Sequence, residues 1–152
     1  MGQKEQEGEL VSNRRAGYDY EILDKYEAGM VLSGTEIKSL RNHGGSLQDS
    51  YVVIDGGEVF LKNASIAPYK FGNVFNHAER RDRKLLLHRG EIDKIKRTTE
   101  RKGLTIIPLA IYLKRGRAKV RIATARGKRR YDKREAIKRR EQQRTVARML
   151  KR

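Results

Sequence analysis

The chain has no cysteine and no tryptophan, and only two prolines and three histidines among its 152 residues. Without cysteine there is no disulfide, no thiolate nucleophile and no sulfur ligand for zinc. His43, His77 and His88 lack metal-ligand spacing, so a zinc site would have to lean on carboxylates. Neither glycine-rich phosphate loop, G-x-x-x-x-G-K-S/T or G-x-G-x-x-G, occurs. No run approaches the roughly 18 apolar residues of a membrane span. The opening MGQKEQEGEL has no apolar stretch of signal-peptide length, and Gln6 breaks the myristoylation pattern. A soluble, cytoplasmic protein without metal or cofactor is expected. Negative charge is the remaining shortage: 19 Asp and Glu face 36 Lys and Arg, a formal net charge of +17. That surplus exceeds what solubility asks of a small domain and calls for a polyanionic partner.

The length fits a single domain. Adding the 14 glycines to the 37% apolar residues gives about 46%, within the globular range, so a core can form. The charge is lopsided. Residues 1–113 carry 18 basic and 16 acidic side chains, whereas residues 114–152 carry 18 and 3. After Ala125 aromatic and β-branched residues almost vanish, and residues 126–152 read as a basic tail, disordered when free. Residues 1–12 are polar and irregular and read as a flexible N-terminus. The folded part is therefore expected over residues 13–125.

Within it, Tyr18, Tyr20 and Ile22 alternate with Asp19 and Glu21, the period of a half-buried strand. A second strand is expected from Gly29 to Leu32. Ser33 and Glu36 have capping-box spacing, with Ile37 and Leu40 behind them, and predict a short helix ending before Gly44. Tyr51 to Ile54 and Glu58 to Leu61 flank a turn of Asp55, Gly56 and Gly57 and predict a hairpin. Residues 68–84 lack a period and read as a long surface loop. Glu91 to Lys102 predicts a helix stopped by Gly103. Leu104 to Leu113 is apolar on both faces, as in a strand covered on each side. It pairs through Arg115 and Gly116 with a last strand, Arg117 to Ala125. The fold expected is mainly β: a small antiparallel OB-like barrel with two or three short helices packed on it, with an open α+β sandwich as the alternative.

In the last strand Ala118, Val120, Ile122 and Thr124 face inward, leaving Arg117, Lys119 and Arg121 in an outward row. Successive members stand about 7 Å apart, near the spacing of phosphates along one nucleic-acid strand. A solvated strand face would look the same, but Lys114, Arg115, Arg126, Lys128, Arg129 and Arg130 extend the row into a patch. Arg80, Arg81, Arg83 and Lys84 offer either a second contact or, interleaved with Glu79 and Asp82, an ordinary surface. In the tail, Asp132 and Glu135 resemble a helix start, and Val146, Met149 and Leu150 form a small apolar face. Such a segment buries too little to fold alone, but binding in an anionic channel would order it as a helix; a passive basic tail is the plainer reading. Asp49, Asp55 and Glu58 are imaginable as a nuclease metal cluster, yet they read better as turn and edge residues. Exposed aromatics for stacking unpaired bases look scarce, so recognition of a structured RNA by shape and backbone suits the composition best. No enzymatic activity is expected.

The runs EAGMVLSGTEIKSLR (27–41), SLQDSYVVI (46–54), NHAERRDRKLLLH (76–88), KGLTIIPLAIYLKRGRAKV (102–120) and GKRRYDKRE (127–135) resemble the small protein B (SmpB) family, bacterial protein partners of transfer-messenger RNA. The likeness spans nearly the whole chain from Asn13, in order. It implies an OB-like barrel that binds the tRNA-like domain of that RNA and delivers it, with elongation factor Tu, to stalled ribosomes for rescue and peptide tagging. It also implies a tail that enters the empty message channel near the decoding centre, and the free protein is expected to be a monomer. Matching positions nominate Glu27, Leu86 and Lys119 for RNA binding, and Asp132, Lys133, Arg134, Met149 and Leu150 for the ribosome. Ala78 and Glu79 stand where the family pattern has Asp and Pro, so the loop is the weakest transfer. A structural ribosomal protein or assembly factor would share the barrel and the basic extension and is the alternative.

Overall fold

A computed structural model describes residues 8–72 and 76–127. The chain runs β1 (Glu9–Ser12), α1 (Ala16–Asp19), β2 (Tyr20–Met30), α2 (Gly34–Arg41), β3 (Gly45–Ser46), β4 (Tyr51–Asp55), β5 (Glu58–Lys62), β6 (Ser65–Ile66), β7 (Arg83–Leu86), α3 (Arg89–Lys102), β8 (Thr105–Lys114) and β9 (Arg117–Gly127). The large sheet has the order β1-β8-β4-β5-β7-β2-β9, and β9 also pairs with β8. That last pairing closes β8, β4, β5, β7, β2 and β9 into an antiparallel ring, the OB-like barrel expected rather than an open sandwich. The core fills its interior with Leu61, Leu85, Val120 and Ile122, capped by Leu40 of α2 and Ile95 of α3. Each such side chain, fully buried, contributes about 1.5–3 kcal/mol.

Local signals explain most of the elements. The Ser33 hydroxyl accepts from the Glu36 N–H while Glu36 accepts from the Ser33 N–H, completing the capping box that starts α2. Gly56 and Gly57, at φ of 59° and 78°, make the tight turn between β4 and β5. Gly103 takes the left-handed conformation that stops α3. Pro108 interrupts β8 beside a shift in register, where its missing N–H does least harm. There its carbonyl accepts from the Asn13 side chain at 2.9 Å.

Five expectations need correction. The N-terminal segment does not stay irregular to residue 12: β1 pairs along β8 and buries Val11. The part of the β8 edge beyond its contact with β4 would otherwise carry unpaired backbone groups, and β1 satisfies them. Likewise the sheet continues past Ala125 to Gly127, which pairs with Tyr20. Tyr18 lies not in a strand but in the single turn of α1, where Ala16 packs with Ile107 and Ala125 in a second small cluster outside the barrel. Tyr20 to Met30 is one long strand with a register shift between Ile22 and Lys25, not two strands. Finally, the loop after residue 68 ends early, because Arg83–Leu86 is strand β7, pairing with β5 and β2.

Candidate nucleic-acid interface

The cationic row sits where the alternation of β9 puts it, on the outer face of the barrel, flanked by β2 and β8. Two rows cross that face. In one, Glu27 of β2 stands opposite Arg121, and Arg121 opposite Ala110 of β8. In the next, Leu86 of β7 pairs with Gly29, Gly29 with Lys119, and Lys119 with Tyr112. Gly29 lies between two of them: a Cβ there would stand in ordinary contact with the Leu86 Cβ at 3.4 Å and the Lys119 Nζ at 3.7 Å. An apolar residue and an ammonium thus converge over the strand at Gly29. Leu86, 53% exposed, is thus an apolar neighbour of the cations rather than a core residue. Beyond these rows, Lys114 and Arg117 face each other at the end of the hairpin, and Arg115 and Gly116 turn it with positive φ.

The face has an internal scaffold that sequence reasoning missed. Tyr112 is 7% exposed, and its hydroxyl donates to Glu27 Oε2. The Arg121 guanidinium lies over its ring, 5.2 Å from the centroid, a cation–π contact. Lys114 Nζ approaches the same carboxylate at 3.4 Å. The Tyr112 hydroxyl, followed by Lys114 and the charge of Lys119, outweighs partial burial and holds the Glu27 carboxyl below the usual carboxylate range. Period-2 reading of β8 places Ala110, Tyr112 and Lys114 on one face, but the surrounding apolar run hides it. A basic partner strand opposite a lone tyrosine is the signal available in the sequence.

Each of the loop cations is paired within the protein. Arg83 is fully buried, contrary to its reading as a loop residue, and donates to Glu36 Oε2 at 2.6 Å and to the Ala64 carbonyl at 2.8 Å. Arg81 donates to Glu36 Oε1, Arg80 to Asn63 Oδ1 at 3.1 Å, and Lys84 to Glu58 Oε1 at 3.2 Å. Glu58 and Asp55 face each other beside the hairpin turn, and among the described residues no three His, Cys, Asp or Glu side chains are arranged to hold a metal. His77 bonds the Thr35 hydroxyl at 2.9 Å and the Ile66 carbonyl at 2.8 Å, an anchoring role. Aromatics are less scarce outside than expected, since Tyr18 and Phe71 are 72% and 71% exposed. Lys128, Asp132, Lys133, Arg134, Met149 and Leu150 lie outside the described residues. Of the nominated barrel residues, Glu27, Leu86, Lys114, Arg115, Arg117, Lys119 and Arg121 all belong to this face and the hairpin that ends it.

A closed antiparallel barrel bearing one ordered cationic face defines a nucleic-acid-binding β-barrel protein. Residues 10–152 match the family model described as SmpB protein. An SsrA-binding protein of Chlamydia caviae is 59% identical over 144 residues, 95% of this chain and 96% of that protein. One from Chlamydia pneumoniae is 56% identical over 152 residues, 100% of this chain and 98% of its own. One from Staphylococcus saprophyticus is 52% identical over 151 residues, 99% and 98% respectively. A solved structure described as "tmRNA-SmpB: a journey to the center of the bacterial ribosome" superposes with a TM-score of 0.67 at 49% identity, covering 83% of this chain and 92% of that one. The chain belongs to the SmpB family.

Proposed function

We propose that this protein binds SsrA RNA, the transfer-messenger RNA, and delivers its tRNA-like domain to stalled ribosomes for rescue and peptide tagging. The barrel grips the RNA without catalysing a reaction. Lys119, Arg121 and Arg117 meet successive phosphates, Lys114, Arg115 and Lys128 extend the contact, and Leu86 packs against sugar or base edges. Glu27, an acid in a phosphate-binding face, accepts from a donor on the RNA. Elongation factor Tu joins the delivery complex, the protein is cytoplasmic and monomeric when free, and the tail enters the empty message channel through Asp132, Lys133, Arg134, Met149 and Leu150. The observation that carries this reading is the meeting of Glu27, Leu86 and Lys119, far apart in sequence, around Gly29 on one cationic face. Relatives at 52–59% identity named SsrA-binding proteins support it over a structural ribosomal protein.

Pulling the protein from its host and sequencing the copurifying RNA tests the proposal. Strong enrichment of transfer-messenger RNA is expected. Constant one-per-ribosome association, indifferent to stalling, would favour the structural ribosomal protein instead.

A further inference from the structure

Tyr112 touches both an acid and a cation of the proposed interface and stands in register with a second cation, Lys119. Tyr112 is almost wholly buried, so packing fixes its ring, while its hydroxyl meets the partly exposed Glu27 carboxylate. Phosphate repels a carboxylate, so Glu27 contributes to RNA binding only when aimed at a donor such as a 2′-hydroxyl or a base-edge N–H. Arg121 carries a planar fork whose direction also matters, unlike the point charge of a lysine. Holding both groups before binding lowers the side-chain entropy lost on association.

We propose that Tyr112 is a positioning residue of the RNA interface: its hydroxyl aims the Glu27 carboxylate, its ring aims the Arg121 guanidinium, and the RNA meets a pre-set pair of acceptor and donor. The proposal rests on the reading that this outer face binds RNA.

The test uses the full chain and the isolated tRNA-like domain of transfer-messenger RNA at one salt concentration. Tyr112→Phe keeps the ring and loses the hydroxyl, and should weaken binding about tenfold, as expected for a hydrogen bond to a charged group. Its thermal unfolding reports whether the fold survives. In combination with Glu27→Ala, a hydroxyl acting through the carboxylate costs nothing further, so the double variant should bind like Glu27→Ala alone. Tyr112→Leu also removes the ring under Arg121 and should bind more weakly than Tyr112→Phe. Additive losses in the Glu27 cycle overturn the proposal, as does a Tyr112→Phe variant of wild-type affinity when Lys119→Ala binds weakly. Phe and Leu variants of equal affinity overturn the Arg121 half. Wild-type affinity in Lys119→Ala would instead remove the whole face from RNA binding, and the proposal with it.

Discussion

Two glutamates of this barrel each sit among cations, and burial makes them different devices. Glu36 and Arg83 are both fully buried, 2.6 Å apart, and the carboxylate also takes hydrogen bonds from Arg81 and the Ser33 N–H. Together these bonds fasten α2 to β7 and to the turn before it. Glu27 keeps 39% of its side chain exposed, and its cation Lys114 keeps 58%. Such a pair is screened by water and adds little to stability. A polar cluster at low stability cost can exchange partners with an incoming RNA, whereas a fully desolvated one cannot without unfolding its surroundings. The same residue types therefore serve as a fastening in one place and, in the other, form the face proposed to dock RNA.

The largest effect expected from breaking this contrast is at Glu36. Glu36→Gln leaves the Arg83 guanidinium buried without its counter-charge, which costs about 3–5 kcal/mol. The loss is read as a lowered urea midpoint at unchanged slope. The matching change Glu27→Gln should lower the unfolding free energy by less than about 1 kcal/mol. Comparable losses from the two variants would erase the distinction. Replacing Glu36 and Arg83 together by Leu and Met should recover most of the stability, because it is the unpaired charge that is costly.

Acid titration sharpens the same comparison. Burial by itself would raise the Glu36 carboxyl, but hydrogen bonds from Arg81, Ser33 and Arg83 outweigh it and hold the group below the usual range. A depressed folded value means the unfolded chain binds the proton more readily. The contribution is thus complete above the unfolded carboxylate value of about 4.3 and disappears as pH falls through the folded value. The difference in unfolding free energy between the parent and Glu36→Gln should shrink across that acid window. A difference independent of pH would mean that Glu36 acts through shape rather than charge. The Glu27 carboxyl is also held low, yet its exposure makes the corresponding change in Glu27→Gln smaller.

Sequence reasoning saw half of each glutamate. Ser33 and Glu36 announce a capping box, and the structure contains it; the pairing with Arg83, 47 positions away, has no local signature. Alternation along β9 predicts which side chains line the outer face, because a strand's period is set by its own backbone. The hairpin of β4 and β5 was legible for the same reason, its turn residues being adjacent. Strand β1 was not, since Glu9–Ser12 holds only two apolar residues and owes its order to the edge of β8. Tyr112 was hidden because its role depends on register with β9 and, through it, on Glu27 of β2. Glu27, Leu86 and Lys119 came from family resemblance, and only closure of the barrel explains why three distant positions belong together.

The smallest effect expected concerns the salt dependence of the exposed face. Lys119→Ala with Arg121→Ala removes two candidate phosphate contacts, each of which releases a counterion on binding. The slope of log affinity against log salt concentration should therefore flatten by about one to two units. Glu36→Gln, studied where it stays folded, should leave that slope unchanged, because its cations are already neutralised inside the protein. Titrations from low to moderate salt measure both. A flattened slope in Glu36→Gln would show that the buried network shapes the RNA face from within, and the boundary between fastening and docking face would have to be redrawn through β7.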